Sequence, residues 1–168
     1  MADLERVPMD LAAYGERVKS GPCFICAMQR GAPEDWHEIV WDDGEHVAFL
    51  SRYPTLYGYV LVAPKAHVEH VVGELSMDQY LRLQVVIYRV ARAVEAVVPS
   101  ERTYVLSLGS QQGNAHVHWH IAPLRPGTPQ ERQQFHALMA ENGVLAWTPD
   151  LAMELGAKIR AALARQTG

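Results

Sequence analysis

Two hydrophobic periods run through this chain, and the places where one gives way to the other mark out its elements. From Asp10 to Ser20, Leu11, Tyr14 and Val18 recur at helical spacing before Gly21-Pro22 breaks the run, which predicts a short helix. Cys23 to Cys26 then reads as a turn. Residues 38–41 and 46–50 read as two strands of a hairpin about Asp42-Asp43-Gly44-Glu45. Residues 59–63 are apolar almost throughout, the mark of a central strand, and Pro64-Lys65 closes them. Residues 76–98 give the clearest helix. Ser76 and Gln79 form a capping box, Met77, Tyr80, Leu81, Ile87, Tyr88, Ala91, Val94 and Val98 mark a broad apolar face, and Pro99 ends it. Core packing accounts for that face first and a dimer contact second. Residues 103–108 and 115–122 are further strands on either side of the polar loop Ser110-Gln111-Gln112-Gly113-Asn114, with Pro123 as a stop. Thr128-Pro129 and Thr148-Pro149 each place an N-cap before a proline at the first helical position, predicting helices to about Glu141 and about Arg165. Hairpin, strand, long helix, hairpin and two helices, in that order, predict an α+β fold: a five-stranded antiparallel sheet with helices packed on it.

With 168 residues, 49% of them hydrophobic and 20% charged, the chain has the composition of one globular domain, and no repeat or linker divides it. A net charge of −4 excludes the basic field that gathers a nucleic acid polymer, so any phosphate ligand must be held by local donors. Met1 to Arg6 lacks the layout of a signal peptide and no apolar run is long enough for a bilayer, which predicts a cytoplasmic protein without a membrane partner. The two cysteines, Cys23 and Cys26, are too few for a disulfide scaffold. Cys-x-x-Cys points to a metal site or a redox pair. Because it precedes the first strand and does not open a helix in a βαβ unit, the redox reading is the weaker one.

The chemistry concentrates in His116-Val117-His118-Trp119-His120. On a strand the three imidazoles share one face, about 7 Å apart, while Val117, Trp119 and Ile121 enter the core. Neutral imidazole is nucleophilic and can carry a phosphoryl or nucleotidyl group. A neighbouring protonated ring can stabilise charge developing on oxygen. The preceding loop offers amide donors and a glycine that permits close backbone approach. A solvated strand face and a purely metal-binding strand are the rival readings. His37, His46, His70 and His136 read as surface residues and the tryptophans as core. Trp147, between two predicted helices, either packs or stacks on a base.

His116-Val117-His118-Trp119-His120-Ile121-Ala122 resembles the His-φ-His-φ-His-φ-φ signature of the histidine triad (HIT) superfamily. Ala48-Phe49, Pro54, Gly58, Leu61-Val62 and Pro64-Lys65-Ala66-His67 resemble its upstream block, so the likeness spans about residues 22–125, with residues 126–168 as a C-terminal helical segment of a single HIT domain over 1–168. The resemblance implies a homodimer with a half-barrel sheet that hydrolyses or transfers nucleotides. His118 would attack the α-phosphate to form a nucleotidyl-histidine. His120 would contact the phosphate and the leaving group, and the main chain of His116 would orient the His118 ring. No metal is implied for the chemical step. The chain departs from the family at Ser51, where a sugar-contacting Asp or Asn is usual, and at Gly58-Tyr59, where Gly-His is common. It also lacks the hydroxyl before the triad, which leaves Gln112, Asn114 and the Gly113 amide as substrate contacts. Some relatives hold a structural zinc through residues matching Cys23, Cys26, His67 and His116, and two thiolates with two imidazoles suit closed tetrahedral zinc. The expected function is hydrolysis at a nucleotide α-phosphate, of dinucleoside polyphosphate or nucleoside phosphoramidate type. A nucleotidyltransferase or phosphorylase of the same family and a nucleotide-binding module with negligible turnover are the alternatives.

Overall fold

The computed structural model describes residues 4–166. Met1, Ala2, Asp3, Thr167 and Gly168, and with them the extreme ends of the expected domain and half of the Met1 to Arg6 segment, lie outside the described residues. The chain opens with β1 (Arg6–Val7), α1 (Leu11–Ser20) and α2 (Phe24–Gln29), and Asp10 caps α1 through a bond from the Ala13 amide, 2.9 Å. β2 (Ile39–Asp42), β3 (His46–Leu50) and β4 (Val60–Pro64) follow. A helical turn α3 (Val71–Glu74) leads into the long helix α4 (Met77–Val97), after which come β5 (Arg102–Ser107) and β6 (Trp119–Leu124). The last elements are α5 (Phe135–Leu138), β7 (Val144–Leu145) and α6 (Pro149–Arg165).

Five strands form one antiparallel sheet in the order β2-β3-β4-β6-β5, as expected for an α+β fold. β3, from Val47 onward, and β4 show why their sequences are apolar. Ala48, Leu50, Val60 and Val62 face a core built with Leu83, Val90 and Val94 of α4 and Leu155 and Ile159 of α6. The alternate residues Val47, Phe49, Leu61 and Ala63 face a second core with Ile25 and Met28 of α2. Side chains on a strand alternate between faces, so a strand covered on both must be apolar at every position.

Several expected boundaries shift. Cys26 lies in α2, not in a turn, because Ile25, Ala27 and Met28 bury one side of a short helix against the sheet. The ladder of β6 begins at Trp119, so residues 115–118 approach it outside the hydrogen-bonded pairing, and it runs through Pro123. The amide of Glu101 bonds the Leu124 carbonyl, which closes that end of the β5 pairing. The β4–β6 pairing ends at Val60↔Ile121, so no ladder bond is missing where proline lacks its N–H. The helix expected after Thr128-Pro129 is broken into 3-10 turns at Gln130–Arg132 and Ala140–Asn142 around α5, with Gln134 at φ 55° and Phe135 exposed. β7 pairs with β1, an interaction between two-residue strands that no local pattern announces.

The N-terminus of α4 carries the expected box: the Ser76 hydroxyl accepts from the Gln79 amide at 3.2 Å and the Gln79 side chain accepts from the Ser76 amide at 2.9 Å. Replacing Ser76 by alanine leaves that amide to solvent, and the midpoint of urea unfolding should show a loss of about 1 kcal/mol.

Candidate active site

The histidine segment is held from behind. Val117 and Trp119 enter the α4 core, where Trp119 packs edge-on against Tyr80, and the Val117 amide donates to the Val68 carbonyl at 2.7 Å. Burying these two residues turns His116, His118 and His120 to the other side. The carbonyl of His116 can only accept, so the 2.7 Å contact with His118 Nδ1 places the proton on Nδ1 and leaves the lone pair on Nε2. The Ser107 hydroxyl donates to the His118 carbonyl at 2.8 Å, tying the same residue to β5. The His120 ring lies 4.8 Å from that of His118, centroid to centroid. Its Nδ1 lies 3.0 Å from the Tyr59 hydroxyl, while its buried Nε2 has no hydrogen-bond partner among the described residues.

Burial sets the charge state. It lowers the pKa of His118, against the opposing pull of the His116 carbonyl. It lowers His120 to about 4, helped by neighbouring His118 and offset in part by the Leu108 carbonyl. Burial pushes the Tyr59 phenol up to about 12, so Tyr59 stays a neutral hydroxyl beside His120. At neutral pH the pair of rings is uncharged, one of them with a free nitrogen lone pair.

His116 faces elsewhere. Its Nε2–H donates to the Pro64 carbonyl at 2.9 Å, so Nδ1 carries the lone pair, and Nδ1 lies 3.4 Å from Cys23 Sγ and 3.7 Å from Cys26 Sγ. His67 Nδ1 lies 3.4 Å from Cys26 Sγ, and its Nε2 meets the Glu69 carboxylate at 3.1 Å. All four ligand atoms fall within 4.8 Å of one another. Two ligands on a zinc tetrahedron sit about 3.5 Å apart at ordinary Zn–S and Zn–N lengths, so the donor set fits such an ion once the widest pairs draw in by about an ångström. Both imidazoles present Nδ1 inward and anchor Nε2 to an oxygen, the arrangement that orients metal-bound histidine. Burial, then neighbouring Cys23, pushes the Cys26 thiol up to about 11, and a bound cation reverses that penalty. These four residues can hold a metal.

Phe24, whose ring centroid lies 6.3 Å from that of His118, lines a cavity of about 360 Å³ together with Ser51, Leu61 and Asn114, among others. The structure thus brings Ser51 and Asn114 to one cavity, while Gln112 and Gly113 line a neighbouring cleft beside His116 and Cys23. Asn114, at φ 57°, donates from its side chain to the Tyr14 hydroxyl at 2.9 Å. Gly113 abuts Val18, where any Cβ would stand 2.9 Å from the Val18 side chain. Contrary to expectation, His37 and His46 are buried. His37 bonds the Asp35 carbonyl at 2.7 Å and stands between the rings of Phe24 and Phe49, and His46 pairs with Asp43 at 3.1 Å. Phe24 and Tyr53 belong to no spaced motif, Tyr14 showed in the sequence only as a helix position and His37 only as a surface residue, whereas Tyr59 stood out as the replacement in Gly58-Tyr59.

Fold and site together define a histidine-centred domain with a separate thiol–imidazole cluster, and the comparisons agree. The family model for the HIT domain matches residues 32–127, more than half of the chain, and the protein belongs to the HIT family. An uncharacterized HIT-like protein of Saccharolobus solfataricus is 28% identical over 116 residues, covering 67% of this chain and 81% of that protein. Among solved structures, a hypothetical histidine triad nucleotide-binding protein from Sulfolobus tokodaii superposes with a TM-score of 0.70 at 23% identity, over 86% of this chain and 94% of the other. A Zn-bound histidine triad family protein from Mycobacterium smegmatis gives 0.66 at 23% identity, over 86% and 95%. Plasmodium falciparum diadenosine triphosphate hydrolase gives 0.60 at 13% identity, over 78% and 79%, and these likenesses establish the fold.

The charge state of His120 predicts a pH dependence of stability. Its folded pKa of about 4 lies below the ordinary histidine value near 6.5, so in that window the unfolded chain binds a proton that the folded chain does not. Stability therefore rises with pH through the window and is lost as pH falls. Urea midpoints at pH 7 and pH 5 should differ by about 2 kcal/mol on this account, and the His120→Gln chain should lose that part of the slope.

Proposed function

We propose that this protein hydrolyses nucleotides at the α-phosphate through a covalent nucleotidyl-histidine on His118. The observation that carries the reading is the 2.7 Å bond from His118 Nδ1–H to the His116 carbonyl, which leaves Nε2 unprotonated and held in one orientation. In the first step Nε2 attacks phosphorus, a P–N bond forms and the bond from phosphorus to the leaving oxygen or nitrogen breaks. His120, neutral with a pKa of about 4, contacts the phosphate and the leaving atom as a hydrogen-bonding group, and the leaving atom takes its proton from solvent. In the second step water attacks phosphorus, the P–N bond breaks, and the nucleoside monophosphate departs as His118 regains its lone pair. His116 is a positioning residue, since its carbonyl sets the His118 tautomer. Ser51 and Asn114 are assigned to the sugar and phosphate from their shared cavity, with Gln112 and the Gly113 amide at its edge. The diadenosine triphosphate hydrolase with the same fold supports a phosphoric anhydride substrate, and a nucleoside phosphoramidate fits the same steps.

The cluster of Cys23, Cys26, His67 and His116 is assigned to structural zinc, supported by its four nitrogen and sulfur donors and by the Zn-bound relative of the same fold. Zinc there joins the segment after α1 to the residue that orients His118, and the steps above use no metal. The two free thiols suit a reducing compartment, the cytoplasm, and no described helix is long and apolar enough to cross a membrane. Met77, Leu81, Val85 and Tyr88 form an exposed apolar stripe along α4, which we assign to a second copy of the chain.

Rapid quenching of a reaction with nucleoside phosphoramidates and dinucleoside polyphosphates should leave a nucleotidyl group on the peptide containing His118. His118→Ala should lose turnover by about a thousandfold or more, and equal rates in the two proteins would sink the mechanism. Native mass spectrometry should find about one zinc per chain, lost in Cys26→Ala with a lower melting temperature, and a fully folded metal-free wild type would remove that assignment. Sedimentation equilibrium should give a dimer that Leu81→Glu converts to monomer.

A further inference from the structure

The cavity lined by Phe24 and Ser51 has walls of two kinds. The rings of Tyr14 and Tyr53 meet edge to face at 5.8 Å, and the Arg17 guanidinium lies over both, 5.5 and 5.6 Å from their centroids, while donating to the Tyr53 hydroxyl at 3.1 Å. With Phe24, whose ring centroid is 6.3 Å from that of His118, these groups offer flat surfaces to a planar heterocycle next to the nucleophile.

The other walls are charged. Arg17, Arg52, Glu34 and Asp35 all line this cavity, yet no ion pair joins any two of them among the described residues. Arg52 donates to the main-chain carbonyl of Glu34 at 2.5 Å, and among the described residues no cation hydrogen-bonds the Glu34 or Asp35 carboxylate. Two guanidinium groups and two carboxylates that share one cavity without neutralising one another suit a ligand with acceptors on one edge and donors on another. Guanine has that pattern. Its O6 and N7 accept from a guanidinium, while N1–H and the 2-amino group donate to a carboxylate. Adenine carries an amino group in place of O6 and has no proton on N1, so it mismatches both edges.

We propose that this cavity holds the base of a guanine nucleotide, with Glu34 or Asp35 accepting from its N1–H and 2-amino edge and Arg17 donating to its O6 and N7 edge. The assignment rests on the nucleotide reading of the triad and names its substrate. It also gives a role to α1, which lies before the residues matched by the HIT family model and carries Tyr14 and Arg17.

Calorimetric titration of the full-length zinc-loaded protein with GMP, IMP and AMP tests it. GMP should bind roughly tenfold or more tightly than AMP, and IMP, which lacks the 2-amino group, should fall between them. Glu34→Gln or Asp35→Asn should bring the GMP to AMP ratio towards one, and Arg17→Gln should do so from the opposite edge. AMP binding as tightly as GMP, or a ratio that survives all three substitutions, would overturn the base assignment. Adduct trapping with guanosine and adenosine phosphoramidates separates this claim from the mechanism. Equal adduct from both bases removes guanine selectivity and leaves His118 as nucleophile. Selective GMP binding without any adduct removes the catalytic reading and leaves the cavity assigned. Binding of no nucleotide overturns the cavity assignment outright.

Discussion

Val117, Trp119 and Ile121 lie in the core beneath α4, and their burial orients everything on the opposite side of that segment. A strand cannot turn two successive side chains to one face, so each apolar residue that enters the core places a histidine outside it. Only the last of the three histidines needs the ladder, through Leu61↔His120. The other two are carried by a lead-in that bends at His116 and is tied to Val68 and Ser107, and that bend lets His116 reach the thiols while His118 stays with His120.

His116 therefore has two tasks through two different groups. Its imidazole faces Cys23 and Cys26, and its carbonyl holds the His118 proton. A bound ion would fix the ring, the ring fixes the main chain, and the main chain fixes the tautomer next door. Gly113 against Val18 and Asn114 against Tyr14 tie the preceding loop to α1, so the N-terminal segment braces the site at the loop as well as at the cysteines.

Elements that carry their own local signals were legible. Ser76 and Gln79 announced the start of α4, and the unbroken apolar run at residues 59–63 marked a strand covered on both faces. Elements that depend on a distant partner were not. β1 and β7 are two residues each and exist because they pair, and Cys26 is helical because Ile25 and Met28 have a sheet to rest on. The run after Thr128-Pro129 begins like a helix but lacks a sustained buried face, and it breaks at Gln134.

The residue types and alternation of His116, His118 and His120, the Cys23-x-x-Cys26 pair and the Pro64-Lys65-Ala66-His67 block by themselves pointed to the family, because period and chemistry are written locally. The tertiary structure decided which nitrogen of each imidazole faces the site, since that depends on carbonyls at His116 and Pro64. It also brought His67 and the thiols to His116 and gathered Arg17, Glu34, Asp35 and Arg52 around one cavity. Those groups are far apart in the chain or belong to no spaced pattern, and only the packing of α1, α2 and the segment before β2 onto the sheet makes them neighbours.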